Sequence, residues 1–398
     1  MQYRHLRNFE ERVSLLGYGC MRFPVREDDP SNIVEEEAEK LIDQAIASGI
    51  TYFDTAYPYH GGRSEEVSSR ILRKYPRSSY YLADKLPIWL IKKDEDTKRY
   101  FEEQLVRCQV EYFDIYLVHS LDRNKYRICE QYHVFDTLKR LKEEGKIRHL
   151  GFSFHDDAGL LEQILDDHSW DFVQIQLNYV DYRHASGINF NADYLYDELD
   201  KRGIPVVVME PLLGGRLASL TDYLNARLKQ HRPQESVASW AFRFAGTYPE
   251  VLTVLSGMTL MEHLQDNLRS YAPLKPLTDS ELAFLQEIAT EMVGLNTIPC
   301  NDCKYCMPCP YGIDIPANLL YYNKCVNEGN VPHEAQDAAY RKSRRAFLIG
   351  YDRSVPKLRQ ADHCIACGEC VSHCPQRIKI PRELRRIDEM VEKLKREI

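Results

Sequence analysis

The chain has 398 residues, 44% of them hydrophobic and 28% charged, and a formal net charge of −8. The length suits one large and one small domain, the composition is that of an ordinary globular protein, and the acidic balance gives no reason to expect nucleic acid as a partner. No apolar h-region follows Met1-Gln2-Tyr3-Arg4 and no run approaches the ~18 apolar residues of a membrane span, so neither a secretory signal nor a membrane partner is expected.

Residues 1–15 read as a hairpin that caps the start of the first domain. Eight strand-like runs follow: Ser14–Gly19, Ile50–Phe53, Tyr80–Ala83, Phe113–Val118, Ile147–Phe152, Phe172–Gln176, Pro205–Met209 and Val251–Leu255. Between the first two, Ala38, Leu41, Ile42, Ala45 and Ile46 recur at helical spacing until Gly49. Val134, Leu138 and Leu141 repeat the pattern until Gly145. Strands alternating with helices predict a parallel sheet. Eight such units within about 290 residues suit a closed (β/α)8 TIM barrel better than an open doubly wound sheet. No G-x-G-x-x-G follows the first strand, which disfavours a Rossmann domain.

Three consecutive strands end in ionisable groups. Phe53-Asp54 runs into a loop bearing Tyr59, Tyr80–Asp84 stops at Lys85, and Phe113–Val118 stops at His119. Singly, each has an ordinary account: a turn Asp, a surface Tyr among 26, a structural ion pair, a core His. Together they are what a barrel places on its catalytic rim.

Pro273 and Pro276 break the pattern, and Thr278-Asp279-Ser280-Glu281 reads as a capping box. It opens a helix through Ala283, Phe284, Ile288 and Met292 that stops at Gly294. The expected domains are therefore 1–293, the barrel, and 294–398, a tail. The tail repeats Cys-Pro-x-x-Ile-x-Ile-Pro at Cys309–Pro316 and Cys374–Pro381, and each Ile-Pro is suited to open a helix. Helical stretches through Leu319–Val326 and Ala335–Leu348 lie between the repeats, so the tail is expected to be a small all-α ferredoxin-like domain.

Eight of the twelve Cys fall in two runs. Cys364-x2-Cys367-x2-Cys370-x3-Cys374-Pro has the bacterial two-cluster ferredoxin spacing at every position. Cys300-x2-Cys303-x2-Cys306-x2-Cys309-Pro differs by one residue in its last gap. C-x2-C pairs also make zinc sites, but eight Cys, two Cys-Pro ends and the repeat favour two [4Fe–4S] clusters. In two-cluster ferredoxins the fourth Cys of each run ligates the other cluster. That grouping predicts one set of Cys300, Cys303, Cys306 and Cys374 and a second of Cys364, Cys367, Cys370 and Cys309, although the short gap also lets Cys309 fold back. Of the others, Cys108, Cys129 and Cys325 read as small buried hydrophobes, while Cys20 falls just past the first strand, on the rim. Metal-spaced thiols predict a reducing, cytoplasmic compartment. Residues 300–398 hold 17 basic and 13 acidic residues, so the tail is cationic in an otherwise acidic chain.

The chain at this point resembles the aldo-keto reductase family over about residues 1–272. The matching residues are Gly17-Tyr18-Gly19-Cys20-Met21, Asp54–Tyr59, Lys85, Val118-His119, Gly151-Phe152-Ser153, Gln174, Glu210–Gly215, and Glu262-His263-Leu264 with Asn267. With the cysteine tail it is similar to the iron–sulfur-containing branch of that family. The resemblance implies a barrel that reduces carbonyls with NAD(P)H through a tetrad of Asp54, Tyr59, Lys85 and His119. Tyr59 would be the general acid. An unperturbed Tyr titrates near ~10, and a neighbouring ammonium is expected to lower that value, the part assigned to Lys85. Asp54 would hold Lys85, and His119 would orient the carbonyl oxygen as an oxyanion hole does.

The resemblance also implies cofactor contacts. Ser153 and Gln174 match positions that hold the nicotinamide amide, with Phe154 where the family often has Asn. Met209 stands where many members stack a Tyr. Gly214, Gly215, Ser256 and Gly257 fall in the phosphate-binding loops, Asn267 would reach adenine, and Cys20 and Met21 complete the rim. NADP-dependent members carry Lys or Arg near Gly257 and His263. This chain has neither, so NADH is expected to bind at least as well as NADPH.

The expected function is hydride transfer between NAD(P)H and a small carbonyl or alcohol substrate, with two [4Fe–4S] clusters for electron transfer and a possible redox partner protein. The alternative is a redox-sensing or electron-transfer subunit whose barrel binds nucleotide but turns over slowly; the intact tetrad favours the first. Hydride carries two electrons, a cluster takes one, and no flavin motif is present. The rim loops Leu121–Tyr132 and Asp181–Asn191 match no substrate pattern.

Overall fold

Eight parallel strands close on themselves. In a computed structural model that describes residues 1–6, 9, 12–26, 29–187, 190–332 and 339–397, β1 (Tyr3–Arg4) and β2 (Val13–Ser14) form an antiparallel pair. The barrel strands are β3 (Leu16–Gly19), β4 (Tyr52–Asp54), β5 (Tyr81–Leu86), β6 (Phe113–Leu121), β7 (Ile147–Phe154), β8 (Phe172–Gln176), β9 (Val206–Met209) and β10 (Val251–Ser256). Their order is β10-β3-β4-β5-β6-β7-β8-β9, as expected for a (β/α)8 barrel. Arg7, Asn8, Glu10 and Glu11 of the expected hairpin lie outside the described residues.

The sequence boundaries shift in two ways. The run Ser14–Gly19 divides, because Ser14 pairs with Tyr3 in the hairpin while Leu16 to Tyr18 pair with β10. β5 and β6 extend past their expected ends, so Lys85 and His119 are strand residues and not loop residues. A polar residue ends an apolar pattern, but a strand continues wherever its ladder continues: Lys85 and Leu86 still pair with Leu117 and Val118 of β6.

Phe9, Val13, Tyr52, Tyr81, Ile115, Phe172, Val207 and Leu252 belong to one buried cluster. Phe9 stacks on His149 with ring centroids 4.0 Å apart. Between strands, helix Glu35–Ala47 buries Ala38, Leu41, Ile42 and Ala45 and ends before Gly49, whose φ of 88° a non-glycine residue rarely adopts. The expected capping box forms: Thr278 N–H donates to Glu281 Oε2 at 2.9 Å and Glu281 N–H to Thr278 Oγ1 at 3.3 Å. It opens helix Asp279–Gly294.

The chain divides into two units. The first comprises Met1–Arg183, Phe190–Pro211 and Ser239–Leu282; the second comprises His184–Asn189, Leu212–Ala238 and Ala283–Ile398. In the second unit, helices Ile315–Asn327, Tyr340–Ser354 and Ile380–Arg396 surround one core. Pro316 and Pro381 each lie in the first turn of a helix, as the repeat predicts. The repeated Ile pairs, Ile313 with Ile315 and Ile378 with Ile380, are all buried in that core. Residues 335–338 of the expected helix Ala335–Leu348 lie outside the described residues. Among the described residues no helix is long and apolar enough to cross a membrane.

Candidate active site and cluster cysteines

β4, β5 and β6 bring Asp54, Lys85 and His119 together, and the turn after β4 adds Tyr59. Lys85 Nζ donates to Asp54 Oδ1 at 2.6 Å and to the Thr55 carbonyl at 2.7 Å. It stands 5.0 Å above the centroid of the Tyr59 ring. The Tyr59 and His119 rings lie 6.2 Å apart, nearly perpendicular. All four are buried, Lys85 to 1% exposure. A charge that deep is held only with a partner and hydrogen bonds, which Asp54 and the Thr55 carbonyl provide.

Local structure aims each group. Tyr59 opens a tight turn through His60 and Gly61, both at positive φ. His60 holds that turn: Nε2 accepts from the Phe23 N–H at 3.2 Å and Nδ1 meets the Pro30 carbonyl at 2.7 Å. His119 precedes a β-bulge, where the β6–β7 register shifts between Val118 and Leu121 and Ser120 takes a φ of 55°. Ser120 is fixed from both sides: its N–H donates to Ser153 Oγ at 2.6 Å and its carbonyl accepts from Lys125 Nζ at 2.7 Å.

Burial sets the protonation states. It pushes the Asp54 carboxyl upward against the opposing pull of Lys85. It holds Tyr59 well above the ordinary phenol range, with Asp54 and Glu210 adding to the effect. Lys85 therefore does not bring Tyr59 down in this state, as the sequence led us to expect, because desolvation of the phenolate outweighs the nearby ammonium. His119 is held well below the usual imidazole range by burial, then by Lys85, Lys125 and His155, so the ring is neutral at pH 7.

The expected nucleotide contacts are spread over both units. In the first, Gln174 Nε2 donates to Met209 Sδ at 3.4 Å, and Asn267 Nδ2 to Ser256 Oγ at 3.0 Å. Gln174 Oε1 is buried without a partner, as is His119 Nδ1. An orphaned carbonyl oxygen beside Ser153 on β7 suits a carboxamide such as that of nicotinamide, so these residues fit the cofactor. Cys20 is fully buried, with its thiol pushed upward chiefly by that burial, and Met21 is half-buried. Gly257 packs so closely on Arg22 that a Cβ would overlap the arginine stem. Thr259 Oγ1 donates to the Arg22 carbonyl at 2.9 Å. Gly214 and Gly215 belong to the second unit, where a Cβ on Gly214 would overlap the Asn301 carbonyl.

Sequence pattern missed several residues here. Arg22 is one, since only the fold sets it against a loop more than 230 positions away. Trp89 is another, its ring 5.3 Å from that of His119. Behind Lys85, Asp84 and Gln104 hold its backbone N–H and carbonyl, and Glu65 accepts from Gln104 Nε2.

In the second unit a cavity of ≈ 210 Å³ is lined by Cys306, Cys309, Cys364, Cys367 and Cys370. Burial pushes the Cys370 thiol up to about 11, and the nearby thiols of Cys364, Cys367 and Cys309 add to it. Cys300 is likewise pushed up to about 11, mainly by burial, with Cys374 among its neighbours. Cys306 feels Cys303, Cys300 and Cys374. Cys300, Cys303 and Cys306 thus lie within electrostatic reach of Cys374 or of one another, and Cys364, Cys367 and Cys309 within reach of Cys370, while Cys306 also lines the cavity with Cys309, Cys364, Cys367 and Cys370. Among the described residues no three His, Cys, Asp or Glu converge on a single ion. Soft thiols set around a cavity suit an iron–sulfur cube, which is gripped at its corners.

The sequence profile of the aldo/keto reductase family matches residues 15–290. The chain belongs to that family. A 4Fe-4S dicluster domain matches residues 299–378. The L-galactose dehydrogenase of Arabidopsis thaliana is 26% identical over 303 residues, 70% of this chain and 90% of that one. The probable aldo-keto reductase 1 of Glycine max is 33% identical over 149 residues, which are 35% of this chain and only 41% of that relative. The barrel is similar to a crystal structure of a Klebsiella pneumoniae aldo-keto reductase in complex with NADPH, with a TM-score of 0.58 and 23% identity over 73% of this chain and 96% of that one. Aldo-keto reductases are NAD(P)H-dependent oxidoreductases, and this member carries an iron–sulfur domain after its barrel.

Proposed function

We propose that the chain interconverts a small carbonyl compound and its alcohol, with Asp54, Tyr59, Lys85 and His119 as the catalytic residues. The observation that carries this is the buried Lys85–Asp54 pair at 2.6 Å, with the Lys85 ammonium 5.0 Å above the Tyr59 ring and His119 alongside. Ser153, Gln174 and Met209 are the proposed holders of the nicotinamide, and Gly214, Gly215, Ser256, Gly257 and Asn267 those of the rest of the dinucleotide. When bound, NAD(P)H supplies the hydride. Tyr59, protonated at rest, gives its phenolic proton to the carbonyl oxygen as negative charge develops there. The Lys85 ammonium stabilises the phenolate left behind, and Asp54 keeps Lys85 in place. Neutral His119 orients the carbonyl oxygen by a hydrogen bond.

The proposed barrel domain spans residues 1–293 and the proposed cluster domain 294–398, with one cube on Cys300, Cys303, Cys306 and Cys374 and the other on Cys364, Cys367, Cys370 and Cys309. The metal-type cysteine spacing supports a reducing, cytoplasmic location as part of this reading. The test is anaerobic NAD(P)H oxidation with a panel of aldehydes. Tyr59→Phe is expected to keep nucleotide binding and lose ~10²–10⁴-fold in turnover, the usual share of acid catalysis. Wild-type turnover in that variant would overturn the reading. Absence of turnover by the unaltered protein, with nucleotide still bound, would favour the redox-sensing alternative.

A further inference from the structure

The second unit carries one strongly basic segment. Residues 340–359 hold seven Lys or Arg and one acid, Asp352. Arg344 turns inward and donates to the Leu394 carbonyl at 2.6 Å. Arg345, Ile349 and Arg353 are spaced four apart on one helical face, and all three are exposed. Lys357 and Arg359 follow, exposed on either side of Leu358, which is itself 81% exposed. Glu392 feels the Lys357 charge but is hydrogen-bonded to Lys395.

This ridge ends at the cavity of the second cysteine set. The Arg359 carbonyl accepts from the Asp314 N–H at 3.1 Å and from Asn318 Nδ2 at 3.0 Å. Those bonds tie it to the segment just after Cys309. The Lys357 carbonyl meets the ring of His363, the residue before Cys364, at 3.1 Å. Tyr311 and Ile365 line the cavity and are exposed, Ile365 to 60%. Of the eight cysteines in the two runs, Cys367 alone is exposed.

Large apolar side chains in solvent beside a charged rim mark an interaction surface. Charge of one sign steers an oppositely charged partner and raises its on-rate. A nucleic acid or an anionic membrane would use the cations, but neither needs the apolar collar at the mouth of this cavity. An electron carrier needs both, because electron transfer falls steeply with distance and must occur where the acceptor is least covered. We propose that this face docks an acidic one-electron carrier protein of the ferredoxin type, and that the set of Cys309, Cys364, Cys367 and Cys370 is the port for the electron. The carrier loses one electron, the cube held by those thiolates gains it, and no atom or proton is transferred. The inference rests on the dicluster domain and is independent of whether Tyr59 acts as an acid.

The test uses the full-length, cluster-loaded protein under anaerobic stopped flow. The probes are a reduced acidic two-cluster ferredoxin and, as a small neutral donor, photogenerated deazaflavin radical; the readout is bleaching of cluster absorbance. Reduction by ferredoxin is expected to slow as salt rises. The double variant Arg353→Glu/Arg359→Glu should lower that rate about tenfold or more at low salt and flatten the salt dependence. Leu358→Asn, which removes the apolar contact without changing charge, should also lower it, with the salt slope kept. Deazaflavin should reduce all forms equally, which reports intact clusters even where a variant is perturbed. Ferredoxin rates unchanged in both variants would overturn the proposal. So would a wild-type protein that deazaflavin reduces and ferredoxin does not, or variants that lose only binding to anionic vesicles or duplex DNA.

Discussion

Lys85 is held by more than Asp54. β4 ends at Asp54, and beyond it the Thr55 N–H still reaches the Ala83 carbonyl at 2.9 Å. Two residues along β5, the same edge presents the Lys85 N–H and C=O with no β4 strand left to pair them. Side chains take over: Asp84 Oδ1 accepts the Lys85 N–H at 2.8 Å, and Gln104 Nε2 donates to the Lys85 carbonyl at 3.1 Å. Gln104 is itself fixed by the Tyr116 hydroxyl at 2.5 Å and Glu65 at 2.9 Å, and Glu65 by Arg107 at 2.7 Å. Burial raises both the Glu65 and Asp84 carboxyls, and the Glu65 charge adds to the rise at Asp84. Gln104→Leu strands a buried carbonyl, at a cost of ~1–3 kcal/mol. Thermal unfolding should show that loss, and kcat should fall while nucleotide Kd stays near wild type; an unchanged kcat would show that the network does not position Lys85. The raised Tyr59 makes a second prediction. Its acid form persists until pH passes its elevated value, so kcat/KM for carbonyl reduction should stay flat from about pH 6 to about pH 9. A descending limb centred near pH 8 would show that bound substrate lets Lys85 pull the phenol down. Asp54, Lys85 and His119 were legible because each ends an apolar run. Glu65 and Gln104 were not, because they act from helices whose polar residues look like any solvated face.

Among the elements, the strand count and order were legible and the strand ends were not. The β6 bulge that follows His119 depends on Ser153 and Lys125 gripping Ser120, and neither contact has a local sequence signature. Gly257 illustrates the same limit. A loop lacking Lys and Arg led us to expect no fixed cation, yet the short turn Cys20–Arg22 after β3 lays the Arg22 stem directly against that glycine. An arginine delivered by a neighbouring strand end can serve a 2′-phosphate as well as one within the loop. Arg22→Ala is therefore expected to weaken NADPH about tenfold and NADH hardly at all, measured by direct titration. Equal effects on both nucleotides would place the phosphate elsewhere, with Arg269 the next residue to test.

At the scale of the whole molecule, the sequence suggested a tail in one piece, but the second unit also takes in residues 184–189 and 212–238. Arg216 donates to Thr297 Oγ1 at 3.2 Å, Arg227 to Glu287 Oε2 at 3.0 Å, and the His231 and Phe284 rings lie 4.1 Å apart. No pattern announces such contacts, because each joins residues some 50 to 80 positions apart through ordinary polar and aromatic types. The cysteine spacing, by contrast, was legible in full, because the cube dictates it. The grouping of the thiols carries the last prediction. Cys374 bears on Cys300 and Cys306, and Cys309 on Cys370, which supports the proposed grouping in which each run lends its fourth Cys to the other set. Thiolate binding and folding are coupled in such sites. Removing residues 364–398 then deletes three ligands of one cube and the Cys374 ligand of the other, along with helix Ile380–Arg396 that covers the shared core. Both clusters should be lost or degraded, and Cys374→Ser alone should damage the cube on Cys300, Cys303 and Cys306 while sparing the one on Cys364, Cys367 and Cys370. Iron counting and low-temperature EPR distinguish the outcomes. One well-formed [4Fe–4S] centre in the truncated protein would mean that Cys309 folds back to its own run, and the exchange of ligands between the runs would be wrong.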